Sequence, residues 1–134
     1  MSQQTLALVK PDGVLKGVVD EIRQRYIDVG LRVIREQPIE FDLATASVFY
    51  QEHVGKFFFE GLVSLMCGGT SVALLLQGDD AIERVRRLNG DTDPAKAEPG
   101  TIRRDFRSAG GPANTVHASD SPEAAKREIR LIFG

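Results

Sequence analysis

The sequence predicts an α+β domain: a four-stranded antiparallel sheet in split β-α-β, ferredoxin-like order, with helices packed on it. Three observations predict it. Short apolar, β-prone runs alternate along the chain with segments of helical periodicity. One run, Ser71 to Gln77, is continuously apolar, as a central strand buried on both faces requires. The breaks carry turn chemistry, as in Lys10-Pro11-Asp12-Gly13, Gly68-Gly69 and Asn89-Gly90.

Taken in order, Thr5 to Val9 reads as the first strand, stopped by the Lys10–Gly13 turn. Val19, Ile22, Tyr26 and Val29 recur at helical spacing up to Gly30, a C-terminal cap, and Leu31 to Ile34 restarts a strand. Leu43 to Met66 holds two helices broken near Gly55, the second presenting Phe58, Leu62, Leu65 and Met66 on one face. After the strand at Ser71–Gln77, Gly78-Asp79-Asp80 caps a helix whose buried stripe is Ile82, Val85 and Leu88. Residues 91–114 show no periodicity. A loop that long in a compact domain is usually functional or disordered, and this one holds Arg103, Arg104 and Arg107 with prolines, so it reads as functional. A short strand follows at Thr115-Val116-His117. Ser121-Pro122-Glu123 then reads as an N-cap with Pro at the first helical position, leading a helix with Ala125, Ile129 and Ile132 on its apolar face. The order β-α-β-α-α-β-α-β-α predicts two helices on one side of the sheet. A chain of 134 residues with no linker and no repeat is read as one domain, 1–134.

With 17 basic and 19 acidic side chains the formal charge is -2, too weak a field to gather a polyanion such as a nucleic acid, so any anion must be held locally. The apolar run Leu6–Val9 is too short for a signal peptide or membrane span, which predicts a cytoplasmic protein. Cys67 is the lone cysteine and excludes an internal disulfide. With only His53 and His117 beside it, no metal-ligand spacing exists.

Neither familiar phosphate loop is present: there is no Gly-x4-Gly-Lys-Ser/Thr and no Gly-x-Gly-x-x-Gly after a strand. Candidate anion ligands are Lys10 at the end of the first strand, Arg86 and Arg87 on the third-strand helix, and Arg103 and Arg104 in the long loop. Each, alone, is most often a solvated surface charge. His117 sits between a strand and a helix N-terminus, where Ser119 and Glu128 can position its ring, and neutral imidazole is a competent nucleophile toward phosphorus. A single histidine at a strand end is nevertheless more often structural, and His53 falls in that class as a partly exposed helix residue.

Five separate segments shift that balance. Lys10-Pro11-Asp12-Gly13, Tyr50-Gln51-Glu52-His53 with Lys56 and Phe58-Phe59, Gly90-Asp91-Thr92-Asp93-Pro94, Pro99-Gly100-Thr101-Ile102-Arg103, and Asn114-x-x-His117-x-Ser119-Asp120-Ser121 resemble, in order, the motifs of the nucleoside diphosphate kinase family. The resemblance implies that His117 accepts the γ-phosphoryl of a nucleoside triphosphate and passes it to a nucleoside diphosphate by a ping-pong route. It implies that Arg86, Thr92 and Arg103 hold the phosphates and that Lys10 and Asn114 contact the sugar. It places Tyr50 beside the nucleophile and Phe58 against the base. Stacking accepts any π-face, so broad base tolerance follows. The resemblance further implies Mg²⁺ riding on the nucleotide, since no carboxylate cluster is built to hold it alone, and a homo-oligomer, tetramer or hexamer. The chain departs from the family pattern at Phe57, where Pro is usual, and at Arg104 and Ala118, where Gly is usual. A side chain at 104 requires a backbone without positive φ. The stretch 107–113 is about one residue longer. A nucleotide-sensing module and an Arg-loop nucleic-acid binder are the two competing readings of such a domain.

Overall fold

The computed structural model describes residues 2–108, 110, 111 and 113–134. Four antiparallel strands, β1 (Ser2–Val9), β2 (Arg32–Glu40), β3 (Thr70–Asp79) and β4 (Val116–Ala118), lie in the order β2-β3-β1-β4. The helices are α1 (Pro11–Leu15), α2 (Val19–Asp28), α3 (Leu43–Phe49), α4 (Phe59–Cys67), α5 (Ala81–Asn89), α6 (Ile102–Asp105) and α7 (Pro122–Phe133), with a 3₁₀ turn at Gln51–His53 after α3. Consecutive strands β1 and β2 are separated by β3, and β3 and β4 by β1, so this is the split β-α-β arrangement that the element order predicts.

Strand alternation sends Ala7, Val9, Leu74 and Leu76 to one face, where they pack with Ile22 and Tyr26 of α2, Val85 of α5, and Ile102. Leu6, Leu8 and Ala73 point to the other face, against Phe49 of α3, Leu62 and Met66 of α4, and Ile132 of α7. Helices on one side of the sheet are therefore half of the arrangement, and both faces are covered. That double burial explains why Ala73–Leu76 is buried at every position.

Several boundaries differ from the sequence reading. Strands β1 and β2 are longer than the apolar runs, because polar positions such as Arg35 and Gln37 join the ladder through their backbone while their side chains reach the Phe133 and Ile132 carbonyls at the end of α7. Lys10–Gly13 is no simple turn: Pro11 starts helix α1, its missing N–H costing nothing there. Phe58 is the N-cap of α4 rather than a residue of its face. Gly78 and Asp79 belong to β3, and Asp80, at φ 51°, makes no side-chain cap; instead Gln3 Oε1 on β1 accepts from the Ile82 amide at 2.9 Å. The supposed structureless run 91–114 contains α6, too short to show a period. The β4 strand is shifted by one residue, to Val116–Ala118.

Two predicted caps match. Gly30 takes φ 94°, with its amide bonded to Ile27 O and the Leu31 amide to Tyr26 O, the paired closure of a glycine-ended helix. Ser121 Oγ accepts from the Ala124 amide at 3.1 Å with Pro122 at the first position of α7. Arg104 lies inside α6 without positive φ, so its side chain strains nothing. Within the longer 107–113 stretch, Ala109 and Pro112 fall outside the described residues.

Candidate active site

Strand β4 pairs His117 with Leu8, and the two-residue alternation turns Val116 into the α2/α5 face while His117 faces Phe49 and Tyr50 on the other. The ring is held edge-on by Phe49 at 5.1 Å and Tyr50 at 5.5 Å between centroids. Its Nε2 lies 2.8 Å from Glu128 Oε1, and Ser119 Oγ donates to the same oxygen at 2.9 Å. Glu128 is 1% exposed and His117 16%. Helix α7 makes this contact possible: started at Ser121, it returns Glu128 about two turns later to the strand from which it departed. Ser119 thus orients the carboxylate rather than the imidazole. Because an ionised carboxylate only accepts, this bonding pattern assigns the proton to Nε2 and leaves the lone pair on Nδ1.

His117 borders a cleft of about 1000 Å³. Lys10, Tyr50, Phe58, Arg86, Thr92, Arg103 and Asn114 all line it, although they come from six different parts of the chain. Lys10 Nζ donates to Asn114 Oδ1 at 2.8 Å, and Asn114 Nδ2 donates to Thr92 O at 3.0 Å, so the sugar-side and phosphate-side candidates form one bonded chain. Burial first, then the neighbouring Arg103 guanidinium, pulls the Lys10 ammonium down to about 7, against a smaller upward pull from Asp12. Arg103 is buried too, and desolvation lowers its pKa, with Arg86 adding to the effect. It donates to three backbone carbonyls: Gly90 at 2.8 Å, Val116 at 2.8 Å and Asn114 at 3.3 Å. Arg103 therefore ties the 90–92 turn to β4 as well as bringing charge to the cleft.

The Lys10–Gly13 motif supports the same wall from behind. Thr115 is held at φ 75°, an uncommon conformation for a β-branched residue. Asp12 Oδ2 accepts from its amide at 2.9 Å, and its carbonyl accepts from the Lys10 amide at 2.9 Å. Glycine at 13 lets the segments pack this closely, because a Cβ there would lie 2.9 Å from Val9 Cγ1 and 3.0 Å from Thr115 O and force a shift. The strained Thr115 sits between Asn114 and β4, so the motif sets the approach to His117.

Arg87 and Arg104 do not line the cleft. Arg87 pairs with Glu83 at 2.7 Å on the outer face of α5, and Arg104 donates to Ala97 O at 3.3 Å. His53, read from sequence as an ordinary helix residue, does line it, stacked on Tyr50 at 6.3 Å and edge-on to Phe58 at 5.1 Å. Burial and then Lys56, 3.1 Å from its Nδ1, lower its pKa. The spacing Tyr50-x-x-His53 was the available signal. Asp120 also reaches the cleft, and its place in the motif that carries His117 was the signal for it; Asn89 reaches it too and had no signature beyond being polar. Arg127 braces the site from outside: it donates to Glu52 Oε2 at 2.9 Å and to the Val48 and Phe49 carbonyls at 3.3 Å, and lies 3.7 Å from Glu128.

Fold and cleft define the class: an α+β protein whose buried cations and aromatic wall surround a histidine held in one tautomer by a carboxylate. Residues 3–134 match the sequence profile of the family described as nucleoside diphosphate kinase, and the chain belongs to that family. Among similar proteins, the nucleoside diphosphate kinase of Nocardioides sp. is 48% identical over 133 residues, spanning 99% of this chain and 98% of the relative. That of Listeria monocytogenes serotype 4b is 45% identical over 131 residues, 98% of this chain and 88% of the relative. The solved Aquifex aeolicus nucleoside diphosphate kinase superposes with a TM-score of 0.95 at 40% identity, covering 100% of this chain and 96% of that one. The Halobacterium salinarum nucleoside diphosphate kinase in complex with CDP gives 0.94 at 38% identity, covering 99% and 88%.

Proposed function

We propose that this chain transfers the γ-phosphoryl group of a nucleoside triphosphate to a nucleoside diphosphate through a phosphohistidine on Nδ1 of His117. The observation that carries the reading is the 2.8 Å contact between Nε2 and Glu128, which leaves Nδ1 as the nitrogen with an available lone pair. In the first half-reaction that pair forms the N–P bond while the bond from phosphorus to the β-phosphate oxygen breaks, and the nucleoside diphosphate departs. Positive charge developing on the ring is met by the Glu128 carboxylate, itself held by Ser119. The second half-reaction reverses these steps with another diphosphate.

Phosphoryl transfer demands fixed geometry and neutralised charge, and the cleft supplies both. Arg86, Thr92 and Arg103 hold the phosphates, and Lys10 with Asn114 holds the sugar. Tyr50, whose buried hydroxyl has no partner among the described residues, can donate to a phosphoryl oxygen beside the ring. Phe58 is the platform for the base. No cluster of His, Cys, Asp and Glu able to hold a metal occurs among the described residues, and Glu52, which faces the cleft, is already paired with Arg127. In this reading the divalent ion arrives on the nucleotide. Mg²⁺ bound to the phosphate oxygens would shield charge at the bond being broken.

Residues 1–134 would act as one domain. No helix among the described residues is long and apolar enough to cross a membrane. The exposed free thiol of Cys67 suits a reducing compartment, and we place the protein in the cytoplasm. Edge strand β2 and the exposed Leu15, Leu43 and Val54 support a homo-oligomer, tetramer or hexamer, which a solution mass would establish.

Incubation with terminally labelled ATP tests the chemistry. The chain should acquire an acid-labile, base-stable label that any nucleoside diphosphate removes, with rates for purine and pyrimidine, ribo and deoxyribo acceptors inside about tenfold. Equal labelling of His117→Ala would refute the mechanism.

A further inference from the structure

We infer that Phe57 is a second aromatic contact for the nucleobase, at the mouth of the cleft, and that it favours purines over pyrimidines. The inference rests on the reading of Phe58 as the base platform. Phe57 lines the same cleft as Phe58 and His117, yet it is 99% exposed, the highest value among the described large apolar residues. Fully solvated phenyl rings are uncommon on a folded protein because nothing offsets the hydration of so much apolar area. A ligand seated in the cleft would cover this one.

The geometry indicates how. The Phe57 and Phe58 rings stand 5.5 Å apart at 90°, an aromatic corner with one wall for stacking and one perpendicular to it. A base stacked on Phe58 meets Phe57 in the edge-to-face orientation that aromatic quadrupoles favour. Phe57 also stands where the family pattern has proline, which has no π-system, so this contact is a property of the present sequence. A purine carries a second fused ring and presents more edge to the corner than a pyrimidine does. Phenylalanine has no hydrogen-bonding group, so adenine and guanine should not be distinguished.

The test is a calorimetric series of ADP, GDP, CDP and UDP binding to the parent, Phe57→Ala, Phe57→Tyr and Phe58→Ala proteins, with no triphosphate present so that no turnover occurs. Phe57→Ala should weaken both purine diphosphates by about two- to tenfold and both pyrimidine diphosphates by less than about twofold, with Phe57→Tyr close to the parent. Phe58→Ala should weaken all four. If Phe57→Ala binds all four as the parent does while Phe58→Ala loses affinity, Phe57 has no role and the platform stands. If neither variant loses affinity, the platform reading itself falls. Equal loss for purines and pyrimidines, or a changed solution mass of Phe57→Ala identifying the ring as a subunit contact, would also overturn the inference.

Discussion

Replacing Glu128 by glutamine probes the His117 pair with the least change of shape. In the parent, Oε1 of a carboxylate that is 1% exposed accepts from both His117 Nε2 at 2.8 Å and Ser119 Oγ at 2.9 Å. Glutamine can keep both contacts through its carbonyl oxygen, but it removes the negative charge opposite the ring. A charge-assisted hydrogen bond contributes about 1.5–3 kcal/mol and a neutral one about 0.5–1.5, so the transition state loses roughly 1–2 kcal/mol. That corresponds to phosphorylation slowed by about 5- to 30-fold. If the amide instead turns its N–H₂ toward Nε2, the ring proton is driven to Nδ1 and the loss is deeper. Single-turnover quench-flow with terminally labelled ATP reads this rate directly. Diphosphate affinity should stay within about twofold, because Glu128 is 1% exposed and its oxygens are engaged by His117, Ser119 and, at 3.7 Å, Arg127. A Glu128→Gln protein phosphorylated within about twofold of the parent rate would refute the assigned role of the carboxylate.

Other consequences follow from the supporting contacts. Gly13→Ala places a Cβ 2.9 Å from Val9 Cγ1 and 3.0 Å from Thr115 O; urea unfolding should show a loss of about 1–3 kcal/mol, with a fall in kcat as Thr115 shifts. Lys10 titrates at about 7 when folded, below its ordinary 10.5, so the unfolded chain binds more protons between those values and stability should rise as pH rises through that window. Lys10→Met should abolish that part of the slope and be most stabilising below pH 7; an unchanged stability-against-pH curve would contradict a cationic Lys10 in the buried wall. Arg127→Met removes the partner of Glu52 and leaves an uncompensated carboxylate facing an anion-binding cleft, so KM for the nucleotide should rise by a few-fold, with partial recovery in Arg127→Lys and in the double variant with Glu52→Gln. Indifference of KM to all three variants would show that Glu52 does not act on the nucleotide.

Much of the fold was legible because it follows local rules. Gly30 and Ser121 ended and began helices where the sequence placed them, since a left-handed glycine and an N-capping hydroxyl are properties of single residues and their near neighbours. The unbroken apolar run within β3 announced a central strand because both faces of the sheet are covered. Short or solvent-facing elements escaped. Helix α6 has one turn and no period, and the half of β2 beyond the run read at Leu31–Ile34 pairs through backbone groups that are the same in every residue.

The amino-acid sequence by itself determined which side chains are available for the chemistry and in what order: His117, the five motif segments, and a net charge too small to recruit anions from afar. Only the tertiary structure decided what those side chains do to one another. It placed Glu128 on His117 Nε2, turned Ser119 onto the carboxylate, joined Lys10 to Asn114 across most of the chain, sent Arg87 and Arg104 outside the cleft, and brought His53 in. The reason is physical. Propensity, capping and turn chemistry act within a few residues, whereas a tautomer, a lowered ammonium pKa and a donor count depend on groups brought together from distant segments by burial. The surroundings of His117 are of that second kind.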